Sequence, residues 1–152
     1  GMRRLTSASS IESTPAWSPT GRQIAFTSSR NGTPQIYIMD AEGSNVRRVS
    51  FAGNWNDDAA WSPPGDLLAY TSWVNGRFQI RIMNLVTQES SVLAGEGSNE
   101  QPAWSPDGKS IIFASNRSGG WQIYRIGIDG RGLTKLTTTG ENNAPRWSSA
   151  SH

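Results

Sequence analysis

Cysteine is absent from the 152 residues, which excludes disulfides, thiolate metal sites and cysteine nucleophiles together. The single histidine is His152, the last residue, so internal histidine is unavailable for acid–base catalysis or metal ligation. No run of about 18 apolar residues occurs, so the sequence holds no transmembrane helix. Charge is sparse: Asp, Glu, Lys and Arg make up 17% of the chain, and 14 basic against 12 acidic residues leave a net charge of +2. A pI near 9.4 overstates that surplus, which is too small for an electrostatic case for nucleic acid. No segment carries the 3.6-residue apolar period of an amphipathic helix.

What is present is turn-forming and aromatic residues: Gly 16, Pro 8, Trp 7, Tyr 3 and Phe 4. Mean hydropathy is low at −0.52, yet aromatics in that number anchor a core and separate the chain from disordered sequence. Gly1 ahead of Met2 has the form of a cleavage remnant, which puts the expected native start at Met2. The segment after it, Arg3-Arg4-Leu5-Thr6-Ser7, has no apolar stretch long enough for a secretory signal. A cytoplasmic location and a removed leader both stay open.

An internal repeat organises the rest. Trp-Ser-Pro-x-Gly occurs at Trp17–Gly21, Trp61–Gly65 and Trp104–Gly108, and Trp147-Ser148 begins a fourth copy, at intervals of 43 or 44 residues. Ile24, Leu68 and Ile111 align between copies, as do Phe26, Tyr70 and Phe113, then Ser28, Ser72 and Ser115, and then Gln35-Ile36, Gln79-Ile80 and Gln122-Ile123. Each unit predicts four short strands. The first ends at the Trp, and Ser-Pro-x-Gly makes a tight turn with Pro second and Gly fourth. Pro64, third in its copy, predicts a different turn there. The second strands are expected at 23–28, 67–72 and 110–115; in the first unit, strands three and four are expected at 35–39 and 46–50. Four strands per unit of about 43 residues predict an all-β fold of β-propeller blades. The blades fall at about 14–50, 57–94 and 100–137 in one domain over 3–148. Stray strands are expected at 3–6, where Arg3-Arg4-Leu5-Thr6 matches Arg47-Arg48-Val49-Ser50, and at 145–148.

The repeat resembles the blades of TolB-like propellers, with their Pro-x-Trp-Ser-Pro-Asp-Gly, Ser-x-Arg-x-Gly and Ile-Tyr elements. Here these are Pro102–Gly108, Ser115-Asn116-Arg117-Ser118-Gly119 and Ile123-Tyr124, and the first copy has Ser28-Ser29-Arg30-Asn31-Gly32 and Ile36-Tyr37. The second departs, with Val74 for the Arg and Arg81 for the Tyr. The resemblance implies a non-catalytic scaffold of the Tol–Pal cell-envelope system, in the periplasm, engaging a lipoprotein through one face. It implies no cofactor. The same blades also occur in the propeller domains of prolyl-oligopeptidase-type peptidases.

Propellers close with about four to eight blades, and three blades form an arc expected to bare an apolar face at each end. Two arcs joined by a twofold axis give a six-bladed ring, so a homodimer is expected; the other reading is a fragment of a larger propeller. The loops before strand one and between strands two and three share one face at the channel mouth. Glu12, Asn56, Asp57, Asp58, Asn99, Glu100, Gln101, Asn142 and Asn143 are expected to ring it. Solvation and turn capping account for such residues. The functional alternatives are a polar site for a protein or peptide partner, or a Ca²⁺ site fed by Glu12, Asp57, Asp58 and Glu100. Trp55, Trp73 and Trp121 decorate the same rim, either tucked over a blade or free as partner anchors. Trp17, Trp61, Trp104 and Trp147 are expected to wedge between blades, and Arg30 and Arg117 to tie their hairpins to nearby carbonyls. A Ser–His–Asp hydrolase is excluded by the missing internal His. A channel-site hydrolase of the six-bladed lactonase type, worked by Asp57, Asp58 and Glu100, is the enzymatic alternative.

Overall fold

The computed structural model describes residues 15–30, 32–51 and 53–137. The expected strands at 3–6 and 145–148, and with them Glu12, Asn142, Asn143 and Trp147, lie outside the described residues. Within them the chain forms three four-stranded antiparallel sheets, each in sequence order. The first blade is β1 (Ala16–Trp17), β2 (Gln23–Ser28), β3 (Gln35–Asp40) and β4 (Arg47–Arg48). The second is β5 (Asn56–Trp61), β6 (Leu67–Val74), β7 (Arg77–Asn84) and β8 (Ser90–Ala94). The third is β9 (Asn99–Trp104), β10 (Ser110–Ser115), β11 (Gln122–Gly127) and β12 (Thr134–Lys135). No helix occurs among the described residues, so none is long and apolar enough to cross a membrane.

Two-residue alternation gives each blade two apolar faces. In the first blade Ile24, Phe26, Tyr37 and Met39 point one way. Ala25, Ile36 and Ile38 point the other way and pack on Leu68, Tyr70 and Met83 of the second blade. Ala69 and Ile80 on the second blade's far side then meet Trp104, Ile111, Phe113, Tyr124 and Ile126 of the third. The repeated tryptophans close these seams. Trp61 Nε1 donates to Ala16 O at 2.8 Å and Trp104 Nε1 to Ala60 O at 2.9 Å, each reaching strand one of the preceding blade.

Trp17 departs from the expected wedge role. It is 54% exposed, because the described residues offer no blade in front of it. The expected bare end faces are not found either. Ile24, Phe26, Tyr37 and Met39 are buried at one end, and Ile112, Ala114 and Ile123 at the other. The Arg30 guanidinium lies 5.4 Å and 5.0 Å from the Phe26 and Tyr37 ring centres, and Trp121 packs on the far cluster, so both faces are partly covered from within.

The Ser-Pro-x-Gly turns share one construction. The Gly N–H donates to the Ser carbonyl at 2.9 Å (Gly21, Gly108) or 2.8 Å (Gly65). The Ser Oγ accepts the N–H of Gln23, Leu67 or Ser110, which starts strand two. The copy with Pro64 closes with the same Gly-to-Ser bond as the other two. In the third copy Asp107 accepts from the Ser105 hydroxyl and the Lys109 N–H, and both hold its carboxyl below the usual range.

The seam geometry makes a paired prediction. Trp104→Ala, which removes a buried wedge and its hydrogen bond, costs about 3–5 kcal/mol in denaturant unfolding. Trp17→Ala costs about 1 kcal/mol or less. Equal losses would contradict the wedge assignment.

Candidate functional site

The polar residues expected in loops ahead of strand one lie inside that strand. Asn56, Asp57 and Asp58 begin β5, and Asn99, Glu100 and Gln101 begin β9. A bulge admits them. Pairing with strand two slips between Asp57 and Ala60, and again opposite Ile112 and Ala114. Asp58 and Gln101, each three residues before its Trp, take left-handed φ of 56° and 57°. A bulge of this kind re-aims side chains and sharpens the local twist.

This correction separates the candidates. Asn56 and Asn99 are fully buried, not ringing a wet mouth. Asn56 Nδ2 donates to Gln35 Oε1 in the first blade at 2.7 Å. Asn99 Nδ2 donates to Phe78 O and Ala94 O in the second blade, both at 3.3 Å, and to Glu96 O at 3.1 Å. Both side chains tie a blade to its predecessor. Gln101 is half-buried, its N–H donating to Thr71 Oγ1 at 3.3 Å.

Asp57, Asp58 and Glu100 remain together across the second seam. Asp57 Oδ2 accepts the Trp55 indole N–H at 2.9 Å, and Asp58 Oδ2 accepts the Thr71 hydroxyl at 3.3 Å. Burial pushes the Asp57 carboxyl up to about 6, assisted by the charges of Asp58 and Glu100 and opposed by the indole hydrogen bond. Burial also raises Asp58 against the Thr71 hydrogen bond, and burial with the Asp58 charge raises Glu100. Among the described residues no three His, Cys, Asp or Glu side chains are placed to hold a metal ion.

The three loop tryptophans also divide. Trp121 is half-buried against Ile112, Ala114 and Ile123. Trp73 lies inside β6, because the two-residue turn Asn75-Gly76, with φ of 54° and 81°, extends the ladder to the Val74–Arg77 pair. Trp73 is 36% exposed and edge-on to Phe78 at 4.6 Å; Trp55 is 47% exposed. The Trp73 N–H donates to Trp55 O at 2.7 Å. Trp55 and Trp73 thus form one exposed aromatic patch with the half-buried Asp57 beside it.

The hairpin arginines bond to side chains of their blade and lie over its aromatic pair. Arg117 Nε donates to Ser115 Oγ at 3.1 Å, one terminal nitrogen reaches Asn99 Oδ1 at 3.0 Å, and the guanidinium lies over Phe113 and Tyr124. Arg30 repeats the contact to Ser28 Oγ at 3.1 Å. In the second blade Val74 and Arg81 replace the Arg and the Tyr. There Tyr70 Oη, Ser72 Oγ and Arg81 Nε are buried with no hydrogen-bond partner among the described residues. The signal for this clasp was in the sequence: Ser-x-Arg two residues after an aromatic, with a second aromatic on the next strand.

The raised Asp57 carboxyl fixes a pH dependence. Its folded value lies above the unfolded one, so the folded state holds the proton more tightly and the penalty for ionising it is relieved as pH falls. Stability therefore rises as pH is lowered from 7.5 to 5. Asp57→Asn stabilises at pH 7.5 by about 1 kcal/mol after discounting for partial exposure, and flattens the dependence. Thermal melts of both proteins across that window check this; a wild type that loses stability between pH 7.5 and 5 would contradict it.

A family profile described as the TolB beta propeller domain matches residues 1–151. The Tol-Pal system protein TolB of Bordetella pertussis is 46% identical over 44 residues, which is 29% of this chain and 10% of that protein. The crystal structure of TolB from Acinetobacter baumannii superposes with a TM-score of 0.81 at 31% identity, covering 92% of this chain and 35% of that one. The chain thus spans about a third of that TolB's length. An oligogalacturonate lyase in complex with manganese superposes with a TM-score of 0.69 at 15% identity, over 88% of this chain and 43% of its own, and shares the fold alone. With three antiparallel blades of this repeat and a family match along nearly the whole chain, the protein belongs to the TolB β-propeller family.

Proposed function

We propose that the chain is a non-catalytic protein- or peptide-binding part of a TolB-type propeller, serving a Tol–Pal-like system in the periplasm. The single observation that carries the reading is the exposed pair Trp55 and Trp73, joined by a main-chain hydrogen bond beside Asp57. Tryptophan is among the residues most enriched in interface hot spots. Glu100, Asp58 and the half-buried Gln101 extend the patch across the seam toward the third blade. The test is titration with the soluble domain of a Tol–Pal lipoprotein by calorimetry. Saturable binding is expected, weakened at least about tenfold by Trp55→Ala and by Trp73→Ala. Binding that ignores both substitutions would overturn the assignment.

A second reading concerns closure. The exposed Trp17, alone among the described blade tryptophans in lacking a preceding blade, favours a further blade stacked in front of it. A second copy of the chain supplies that blade in a six-bladed ring. Light scattering over a range of concentrations is expected to give twice the 16.5 kDa chain mass. A monomer at every concentration would contradict the dimer and leave a longer polypeptide as the source of the missing blades.

A further inference from the structure

A second surface lies away from the Trp55–Trp73 patch. Between β4 and the turn that follows β7 there is a cleft of about 270 Å³, walled by Arg47, Arg48, Val49, Phe51, Met83 and Leu85. Val49 and Met83 are buried and give it an apolar floor, while Phe51 stands 68% exposed at its edge. Among the described residues the lining is completed by the neutral Gln88, so it includes two arginines and no Asp or Glu. Arg48 is fixed in place: its Nε donates to Ser50 O at 2.6 Å, and its guanidinium lies 4.7 Å from the Phe51 ring centre. The arginine pair recurs in the sequence at Arg3-Arg4 but not in the other two described blades. At the positions of Arg47-Arg48-Val49-Ser50 the second blade has Ser91-Val92-Leu93-Ala94 and the third has Thr134-Lys135-Leu136-Thr137.

We propose that this cleft captures the free C-terminal carboxylate of a partner polypeptide ending in an apolar residue such as leucine. Charge selects the head group, since a planar, pre-positioned guanidinium matches a carboxylate in bidentate fashion. Volume selects the tail. The cleft is smaller than sites that enclose drug-sized molecules, and it suits one side chain better than a long acyl chain. The main chain of such a peptide has a partner as well. β4 is the outermost strand of its sheet, and an edge strand offers unpaired N–H and C=O groups to an added segment. The assignment is independent of the Trp55–Trp73 patch.

The test uses the 152-residue chain and an acetylated tetrapeptide, Ser-Gly-Thr-Leu, with either a free carboxylate or a C-terminal amide. Binding is followed by NMR shift titration. The acid is expected to saturate in the micromolar to low millimolar range, with the amide at least tenfold weaker. Arg48→Gln and Phe51→Ala should each weaken the acid about tenfold or more, and Arg131→Gln, on an exposed turn of the third blade, should leave it unchanged. Equal binding of acid and amide, no saturation of the acid, or indifference to Arg48→Gln would each overturn the proposal. So would decanoate binding at the same residues while the peptide does not. Thermal melts of the variants show whether a lost signal comes from the cleft or from the fold; because Phe51 is exposed, Phe51→Ala is expected to melt with the wild type.

Discussion

Each seam is closed by an indole N–H reaching a main-chain carbonyl on strand one of the preceding blade, and the rest of the arrangement depends on that contact. A four-stranded blade with alternating apolar residues has two faces to cover. In this chain each is covered by the next blade or, at the ends of the described arc, partly by Arg30 and Trp121. Trp61 and Trp104 set how closely neighbours stack, and they make their bonds at nearly equal lengths. Trp17 is the same residue in the same turn and is 54% exposed.

Close stacking brings polar groups into the seams, and the repeat satisfies them from side chains. Gln35 accepts from Ser50 and Asn56, and Gln122 from Thr137. Arg117 is held by Ser115 and Asn99 across a ring pair. The second blade breaks these rules at three places, Val74, Arg81 and Ala94. It also holds the orphaned atoms of Tyr70, Ser72, Gln79 and Arg81. Buried groups without partners cost stability, so among the described residues the least regular blade also holds the most uncompensated burial. The same blade carries Trp55, Trp73, Asp57 and Asp58. Local departure from a repeat is expected where a site is grafted onto a scaffold.

Much of the fold was legible because both of its signals are short-range. The Trp-Ser-Pro-x-Gly turn and the alternation of strand two located β2 and β10 to the residue, while β6 ran longer because Asn75-Gly76 is a tighter turn than its counterparts. The site was legible only in part. Asn56 and Asn99 have the composition of a wet loop, yet their partners, Gln35 and Phe78, lie 21 residues away across a seam that no local pattern encodes. Asp58 and Gln101 sit at equivalent positions, but nothing local in the sequence marks a left-handed bulge there. Exposure divided the tryptophans in a way sequence could not, since Trp121 and Trp55 have equally polar neighbours.

The functional account stands on whether the Trp55–Trp73–Asp57 patch is where a partner lands. Hydrogen exchange on the chain, free and saturated with the soluble domain of a Tol–Pal lipoprotein, measures this directly. The account predicts added protection in peptides covering residues 55–58, 71–75 and 99–101, with the Ser-Pro-x-Gly turns unchanged. Protection on those turns, with the three segments unaffected, would contradict it.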